Sequence, residues 1–420
     1  MLLQREAGKD YVENLLEAAL ASARLSGADR GLAQELVYGA VRWQAPLDWL
    51  IAEKTGGREQ RPGLQVMLRL GLYQMFFLSR IPDHAAVHET VELAKRSGLS
   101  GQAGFVNAVL RGYLREREAT EKALADLKTQ DVPLGYSHPE WLCERWKKNY
   151  GRENLVRLLE WNNTPPSTFA RLNTLRATAD ELHEHWAQEK VEARPVALDW
   201  VGDATVFELQ SHPSLADLRS FNKGLFYVQD PSTLLAVAEL DPQPGETILD
   251  LCAAPGGKTA YIAARMQNEG RVIAHDIAPD RTKLIKENCT RLGVNNVSPA
   301  LPSTLDAQLT APADRILIDA PCSNTGVMRR RVDLRWRIRE TELTRLRHTQ
   351  LELLRDAVPR LKPGGTLVYS TCSLESEENS AVVQEFLSQH QTMHLESERA
   401  LTPWTEGVDG AYVARLVKES

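Results

Sequence analysis

The stretch ILDLCAAPGGKT, residues 248–259, decides how the second half of this 420-residue chain is expected to fold. An apolar run ends in Asp250, a tight turn of alanine, proline and glycine follows, and a helix is predicted to open at about Lys258. Glycines let a ligand approach the backbone, and the first turn of a helix offers unpaired N–H groups. The spacing fits neither GxGxxG nor GxxxxGKS/T, so a cofactor that is bound mainly through phosphates fits poorly.

The next apolar run, RVIAHDI, ends with an acid at Asp276, twenty residues beyond Gly256. Because a carboxylate at the end of this second strand suits a ribose diol, the order of strand, turn, helix, strand and acid indicates an adenosine-containing cofactor. These residues alone leave NAD and S-adenosylmethionine open, although the missing dinucleotide fingerprint counts against an oxidoreductase. A glycine-rich turn that binds nothing is the remaining interpretation.

Apolar runs alternate with amphipathic segments from about Ser167 onward, which predicts a doubly wound α/β domain with a mostly parallel sheet. Residues 4–118 instead carry apolar residues at helical spacing and lack β-branched runs of period two, so an all-α domain is predicted there. Asp29, before RGLAQELVYGAVRW, is a candidate N-cap. We therefore expect a multidomain α + α/β protein.

Two cysteines follow separate predicted strands of the α/β domain. Cys322 lies in DAPCSNTG, residues 319–326, and Cys372 lies in YSTCS, residues 369–373. Since the carboxyl ends of parallel strands share one edge, both thiols and Asp319 are expected to meet there. A lone cysteine is more often buried and inert, but two on one rim favour chemistry. A thiolate that adds to carbon 6 of a cytosine makes carbon 5 nucleophilic, and a second thiol can assist release.

The composition is that of an ordinary globular protein, with 43% hydrophobic and 25% charged residues and no apolar run near the ~18–20 residues of a membrane span. Five cysteines without a CxxC pair argue against a disulfide framework and against zinc, and for a reducing cytosol. The N-terminal residues lack the apolar core of a secretory signal. We expect a cytoplasmic protein without metal or membrane contact and, since nothing suggests an obligate oligomer, a monomer.

The charge of the chain is uneven. The formal net charge is −6, which by itself disfavours a nucleic-acid partner. Residues 329–347, however, contain eight arginines and only three acids, a local charge of +5. Such a segment fits a polyanion, because bound phosphates release counterions, or it is simply a solvated helix face.

The motifs as a set resemble a known family. LDLCAAPGGKT, DAPCSNTGVMRR and STCSLESEEN resemble the RNA (cytosine-5) methyltransferases of the Sun/Fmu (RsmB) group, and FARLNTLR and FYVQDPST resemble motifs that precede the cofactor loop in that group. DRGLAQELVYGAVRW, LRLGLYQMFFLSRIPDHAAVHETVELAK and GFVNAVLRGYLRE resemble a NusB-like RNA-binding domain. The resemblance covers nearly the whole chain.

This resemblance implies a three-part organisation. Residues 1–130 are expected to form an all-helical NusB-like RNA-binding domain, and residues 131–230 a connector with the N-terminal part of the catalytic region. Residues 231–420 are expected to form a Rossmann-like class I methyltransferase domain with a mostly parallel, doubly wound sheet.

The resemblance also implies roles for individual residues of the α/β domain. Cys372 matches the nucleophile, Cys322 matches the cysteine that aids product release, and Asp319 matches a residue that contacts both cofactor and target base. The residues implied to hold S-adenosylmethionine are Cys252, Ala253, Ala254, Pro255, Gly256, Gly257, Lys258, Asp276 and Asp319.

The implied substrate is 16S ribosomal RNA, methylated at carbon 5 of a cytosine through a covalent cysteine–cytosine adduct, in resemblance to the enzymes that act on position 967. Arg329 and Arg330 match paired arginines of the group and, together with Arg331, are expected to contact the RNA.

Three positions depart from the pattern of the group. Asn324 stands where a small Gly or Ala is common, Arg331 and Val332 replace His-Pro, and the acid expected after the third strand has only Asp306 as a counterpart. Two other functions stay open: a NusB-like RNA-binding ribosome-assembly factor whose catalysis has decayed, and a tRNA cytosine-5 methyltransferase.

Overall fold

The structure is a computed structural model that describes residues 1–8, 10–203 and 205–420. Its internal contacts divide the chain into two units: Met1–Pro165 with Met328–Arg337, and Pro166–Val327 with Ile338–Ser420. The boundary at Pro165 lies inside the connector that was expected at residues 131–230. Within the described ranges, no helix combines the length and the apolar character needed to cross a bilayer.

The N-terminal part of the first unit is built from helices alone among its described residues, which confirms the all-α prediction. Leu47, Leu68, Leu72 and Leu110 from different helices are completely buried and form the centre of the core. The helices are α1 (Leu2–Ala7), α2 (Val12–Ser22), α3 (Gly27–Arg42), α4 (Gln44–Thr55), α5 (Pro62–Phe77), α6 (Asp83–Arg96), α7 (Ala103–Arg115), α8 (Arg117–Gln130), α9 (Val132–Gly135) and α10 (Glu140–Asn163).

The start of α3 differs from the sequence prediction. Ser26, and not Asp29, is the N-cap, because the Ser26 side chain accepts the N–H of Asp29 at 3.1 Å. Asp29 instead lies in the first turn, where its negative charge is stabilised by the helix dipole. Serine and aspartate are both good N-caps, so local sequence did not distinguish them.

The remaining helices follow in chain order: α11 (Ala179–Glu189), α12 (Arg219–Asn222), α13 (Leu235–Leu240), α14 (Gly257–Arg265), α15 (Pro279–Leu292), α16 (Pro302–Gln308), α17 (Leu334–Arg337), α18 (Glu340–Ala357), α19 (Ser380–Gln389) and α20 (Pro403–Glu406). The strands are β1 (Thr168–Leu172), β2 (Glu192–Pro195), β3 (Val206–Ser211), β4 (Phe226–Val228), β5 (Thr247–Leu251), β6 (Arg271–His275), β7 (Val297–Ala300), β8 (Ala313–Asp319), β9 (Leu361–Thr371), β10 (Met393–Leu401) and β11 (Ala411–Lys418).

Residues 328–337, which include α17, belong to the first unit and are tied into it by buried charges. The fully buried Asp333 accepts hydrogen bonds of 2.8 Å from both Arg5 and Arg337. Arg335, also fully buried, donates to Asn163 at 2.7 Å and to backbone carbonyls, and burial lowers its pKa to about 9. Two of the eight arginines in the basic segment therefore serve the internal structure of the unit.

The second unit contains a small antiparallel sheet in the order β2-β3-β1-β4. Its core is aromatic: Trp186 of α11 packs edge-on against Phe207 and Phe226, with ring centres 5.4 and 5.6 Å away. The sequence analysis did not foresee a separate sheet here, because its strands are only three to six residues long.

The larger sheet has the order β10-β11-β9-β8-β5-β6-β7; strands β5 to β9 pair in parallel, and β10 and β11 are antiparallel. Both faces are covered, as a parallel sheet requires. In β5, Ile248 packs with Leu317 on one face, and Leu249 packs with Ile273 on the other. These features confirm the predicted doubly wound, mostly parallel domain.

The strand order reverses at β5, the point at which ligands bind in open α/β sheets. β6 and β7 follow on one side of β5, and β8 and β9 lie on the other. The segments after β5, β6, β8 and β9 therefore meet at one edge of the sheet, which is where the candidate residues lie.

Candidate active site

The residues from 252 to 258, which are predicted to hold a cofactor, form the glycine-rich turn after β5 and the first two residues of α14. Gly256 has a φ of +99°, a conformation that favours glycine. A Cβ on Gly257 would lie 2.7 Å from the ring of Tyr227, so this backbone packs too closely for a side chain. The backbone of the turn therefore lies next to the end of β5, the strand at which the strand order reverses.

Asp276 follows β6 directly and faces this turn. Its carboxylate accepts the N–H of Ala254 at 3.2 Å and lies 3.1 Å from Nε of Arg281. The next side chain, Ile277, is apolar and 76% exposed. A carboxylate and an open apolar surface are therefore adjacent beside the turn, which suits a ribose and an adenine ring.

A second acid, Asp250, lies within β5 and is completely buried. Burial raises the pKa of Asp250 to about 7, and the negative charges of Asp319 and Asp276 act in the same direction. Thr259 donates to one carboxylate oxygen at 2.6 Å, which lowers the pKa in part. Sequence reasoning assigned Asp250 no role, although a single acid in an apolar strand was the available signal.

Lys258 extends from the first turn of α14 to Asp319 at the end of β8. Its Nζ donates to Asp319 at 2.7 Å, and Ser370 donates to the other carboxylate oxygen at 3.0 Å. Burial lowers the pKa of Lys258, but Asp319 and, less strongly, Cys372 outweigh that effect and the net shift is upward. Lys258 is therefore held as a cation while the Asp319 side chain stays 35% exposed.

The parallel pairing of β8 with β9 brings the two predicted cysteines into contact. The Sγ atoms of Cys322 and Cys372 are 3.3 Å apart. Cys322 is buried and Cys372 is partly exposed. The hydrogen bond with Cys372, together with burial, raises the pKa of Cys322. Asn324, one of the departures from the group pattern, accepts the S–H of Cys372 at 3.1 Å.

Glu378 links the two cysteine loops, and sequence reasoning missed it. This fully buried carboxylate accepts the backbone N–H of Ser323 at 2.9 Å and the hydroxyls of Ser323 and Ser373. Gln350 of α18 donates to it at 3.1 Å. Burial raises the pKa of Glu378 although these hydrogen bonds oppose the rise. The acid-rich SLESEEN run after Cys372 was the only sequence signal.

Arg171 of β1 is a second residue that sequence reasoning missed. It is buried and donates to the carbonyl oxygen of Gly257 at 3.0 Å. Its guanidinium lies 4.6 Å from the ring centre of Tyr261 and 5.4 Å from that of Tyr227. Burial lowers its pKa to about 10. A cation in the small sheet thus supports the first turn of α14.

The other cysteines are poor nucleophiles. Burial raises the pKa of Cys143, Cys252 and Cys289 to about 12 in each case. Among the residues that the structure describes, no group of three or more His, Cys, Asp or Glu side chains could hold a metal ion.

The residues predicted to contact RNA belong to the first unit. Arg329 is 3% exposed, with its guanidinium 3.7 Å from the ring centre of Trp161, whereas Arg331 is exposed and Arg330 is partly buried. Asp306, the only counterpart of the acid expected after the third strand, lies on α16 and forms an exposed ion pair of 3.1 Å with Arg360.

Comparison with known proteins gives three matches in order along the chain. Models of three families match: "NusB family" at residues 1–115, "Methyltr_RsmF/B-like, ferredoxin-like domain" at residues 138–204, and "16S rRNA methyltransferase RsmB/F" at residues 237–417. The ferredoxin-like match overlaps the small sheet that the sequence analysis did not foresee.

Individual proteins are similar over most of the chain. The "Probable ribosomal RNA small subunit methyltransferase B" of Bacillus subtilis (strain 168) is 38% identical over 396 residues, which cover 93% of this chain and 87% of the relative. The crystal structure of PH0851 is 26% identical with a TM-score of 0.77 and covers 96% of this chain and 93% of its own. The structure of a methyltransferase homologue from Pyrococcus horikoshii is 30% identical, with a TM-score of 0.60. The match covers 69% of this chain and 98% of the homologue.

These matches confirm the family resemblance that the motifs indicated. The similarity to the Bacillus protein spans both units, at an identity and a coverage that establish common family membership. The chain belongs to the 16S rRNA methyltransferase RsmB/F family.

Proposed function

We propose that this protein transfers a methyl group from S-adenosylmethionine to carbon 5 of a cytosine in 16S rRNA. The observation that carries the proposal is the contact of 3.3 Å between the sulfur atoms of Cys322 and Cys372, next to Asp319 at the strand ends. Membership of the RsmB/F family supports rRNA as the substrate, and position 967 is the target that the resemblance implies.

The donor set around the turn fits S-adenosylmethionine. Asp276 offers carboxylate oxygens to ribose hydroxyls, Ile277 offers an apolar contact to adenine, and the backbone N–H of Ala254 in the turn holds the Asp276 carboxylate in place. Asp319, at the end of β8, is held by Lys258 from the other end of the turn. Its side chain is 35% exposed and so remains accessible to cofactor and base. When bound, the cofactor supplies an electrophilic methyl group.

Cys372 is the nucleophile of the proposed reaction because it is the more exposed of the two thiols. Its thiolate adds to carbon 6 of the cytosine and breaks the 5,6 double bond, so that carbon 5 becomes nucleophilic enough to accept a methyl group. The nearby cation of Lys258 favours negative charge on sulfur. Asp319 can bond to the exocyclic amine and to protonated N3, which stabilises the adduct.

Release of the product requires the proton on carbon 5 to be transferred to solvent and the bond between sulfur and carbon 6 to break, which restores the double bond. The electron pair of that bond returns to Cys372 as a thiolate. Cys322, in contact with the same sulfur, can donate its S–H hydrogen to the departing thiolate and so assist its expulsion. This matches the role that the resemblance implies for Cys322.

RNA binding is proposed for Arg329, Arg330 and Arg331. Arg331 is the most exposed of the three, so its guanidinium is available to a phosphate. Arg329 is 3% exposed and lies on the ring of Trp161, which is itself partly exposed and can stack on an unpaired base. We further propose that the enzyme works as a cytoplasmic monomer without a metal.

The proposal is tested by transfer of tritiated methyl groups from S-adenosylmethionine to 16S rRNA transcripts, with tRNA transcripts as competitors. Cys372→Ala should abolish transfer, and Cys322→Ala should accumulate a covalent protein–RNA adduct that survives denaturing electrophoresis. Cys143→Ala, a buried cysteine of the first unit, is the matched control and should retain activity.

Full activity of Cys372→Ala would overturn the covalent role. If the unaltered protein binds the RNA but neither transfers methyl groups nor binds S-adenosylmethionine in calorimetry, the assembly-factor interpretation replaces the enzyme. Preferential labelling of tRNA would change the substrate but keep the reaction.

A further inference from the structure

The amide of Asn324 is fixed between the two cysteines. Its Oδ1 accepts the S–H of Cys372 at 3.1 Å, and its Nδ2 donates to the backbone carbonyl of Cys322 at 2.7 Å. Rotation of the amide by half a turn would place Oδ1 against that carbonyl oxygen, an unfavourable contact between two acceptors. The amide oxygen is therefore the atom that faces the sulfur of Cys372.

This orientation gives the two thiols different roles as hydrogen-bond donors. Cys372 has one hydrogen on sulfur, and it is directed to Asn324. In the contact of 3.3 Å between the sulfur atoms, the hydrogen must then come from Cys322. The result is a chain of hydrogen bonds from Cys322 to Cys372 to Asn324.

We infer that Asn324 is a positioning residue whose amide oxygen stabilises the thiol form of Cys372 over the thiolate by accepting its S–H hydrogen. A thiolate has no hydrogen to donate, so its negative charge would face the partial negative charge of the amide oxygen without a hydrogen bond between them. The inference rests on the proposed function only in that it takes Cys372 as the nucleophile.

The other charged and titratable groups around the thiol pair include Lys258 on α14, Asp319 at the end of β8, the buried Glu378, and the buried Tyr369 of β9, which interacts with Cys322. Lys258 favours negative charge on the sulfur of Cys372, and Glu378 disfavours negative charge on the sulfur of Cys322. The substitutions at Asn324 leave the identity of all these groups unchanged, so a comparison of Asn324 variants tests the contribution of the amide.

The partial exposure of Asn324 lets an entering base displace the amide. Departure of the amide oxygen would remove the restraint on the thiolate while Lys258 continues to favour it. The nucleophile would thus be activated when the substrate occupies the site, and the resting thiol would react more slowly with solvent electrophiles.

The inference is tested by the rate at which iodoacetamide alkylates Cys372, followed by mass spectrometry between about pH 6 and about pH 10. The variants are Asn324→Gly and Asn324→Asp. Position 324 has a φ of +59°, which glycine adopts freely and aspartate tolerates, so both should fold. Asn268→Gly, at a φ of +61° in a turn of the same unit, is the matched control.

We expect the pH midpoint of alkylation to fall in Asn324→Gly by about half to one pH unit, the size of a lost hydrogen bond, and to rise in Asn324→Asp. Asn268→Gly should leave the midpoint unchanged. Cys143, Cys252 and Cys289 will contribute little, because burial raises the pKa of each to about 12.

An unchanged midpoint in Asn324→Gly, or a fall in both Asn324 variants, would overturn the inference. The assay does not require methyl transfer. If the midpoints move as expected while no protein methylates RNA, the proposed function fails and the role of Asn324 stands.

Discussion

Thr259 donates a hydrogen bond of 2.6 Å to Asp250, and both side chains are completely buried between β5 and α14. The hydrogen bond satisfies only Oδ2 of the carboxyl group. Among the described residues, Oδ1 has no hydrogen-bond partner. A protonated carboxyl group leaves less charge unsatisfied in such a place, which agrees with the rise of the Asp250 pKa to about 7.

The first prediction concerns the pH dependence of stability. The pKa of Asp250 is about 7 in the folded protein and 3.8 is its ordinary value. Below about pH 4, Asp250 is protonated in both the folded and the unfolded protein. Between about pH 4 and about pH 7 it is ionised in the unfolded chain but still protonated in the folded protein, so the free energy of unfolding falls as the pH rises through this range. The full effect is at most about 4 kcal/mol. Asp250→Asn lacks this titration and should gain stability relative to the parent over that range.

The measurement is the free energy of urea unfolding of parent and Asp250→Asn at several pH values between about 4 and about 8. Taking the difference between the two proteins cancels the other titrating groups. A difference that stays constant across the range would contradict the prediction.

The second prediction is that oxidation links the active-site cysteines. Peroxide converts the partly exposed Cys372 thiol to a sulfenic acid with loss of water, and Cys322, whose sulfur lies 3.3 Å away, then forms the disulfide with loss of a second water. We expect the mass to fall by two hydrogen atoms, and methyl transfer to stop until dithiothreitol is added. Cys322→Ser is the control and should form no linked peptide; a parent protein whose Cys372 oxidises only to sulfinic acid would refute the link.

The third prediction concerns Glu378, which holds the two cysteine loops together. Glu378→Ala leaves the N–H of Ser323 and the hydroxyl of Ser373 buried without their acceptor, and should cost about 2–4 kcal/mol of unfolding free energy. Methyl transfer should fall more than binding of S-adenosylmethionine, because the cysteine loops are displaced and the β5–α14 turn is not.

Urea unfolding, a transfer assay and calorimetry with the cofactor measure these effects. The neighbouring Glu377→Ala is the matched control, since its side chain is partly exposed and its loss should change stability by less than about 0.5 kcal/mol. Equal stability of the two variants would show that Glu378 does not support the loops.

Local pattern was enough to predict the turn at residues 252–258, the acid at Asp276 and the strand ends that hold Cys322 and Cys372. Each depends on a strand followed by a loop, which alternation and glycine spacing reveal. Glu378 and Arg171 could not be predicted in the same way. Their roles follow from packing between distant segments: Arg171 reaches Gly257, 86 residues further along the chain.

A count of charged residues also does not show which of the charges are accessible to a partner. The eight arginines of residues 329–347 look alike in the sequence, but Arg335 is completely buried and Arg331 is exposed. Only the fold distinguishes a cation that bonds to backbone carbonyls from one that is available to a phosphate.

The fourth prediction separates these two arginines. Arg331→Gln should weaken binding to 16S rRNA and reduce the slope of log affinity against log salt by about one, because one fewer counterion is released, while stability stays within about 0.5 kcal/mol. Arg335→Met should do the reverse: the carbonyls and the Asn163 side chain that it bonds lose their donor, and stability falls by about 2–4 kcal/mol. Filter binding at several salt concentrations and urea unfolding measure both. If Arg331→Gln leaves the salt slope unchanged, the exposed arginine does not touch a phosphate, and the RNA contact proposed for Arg331 is wrong.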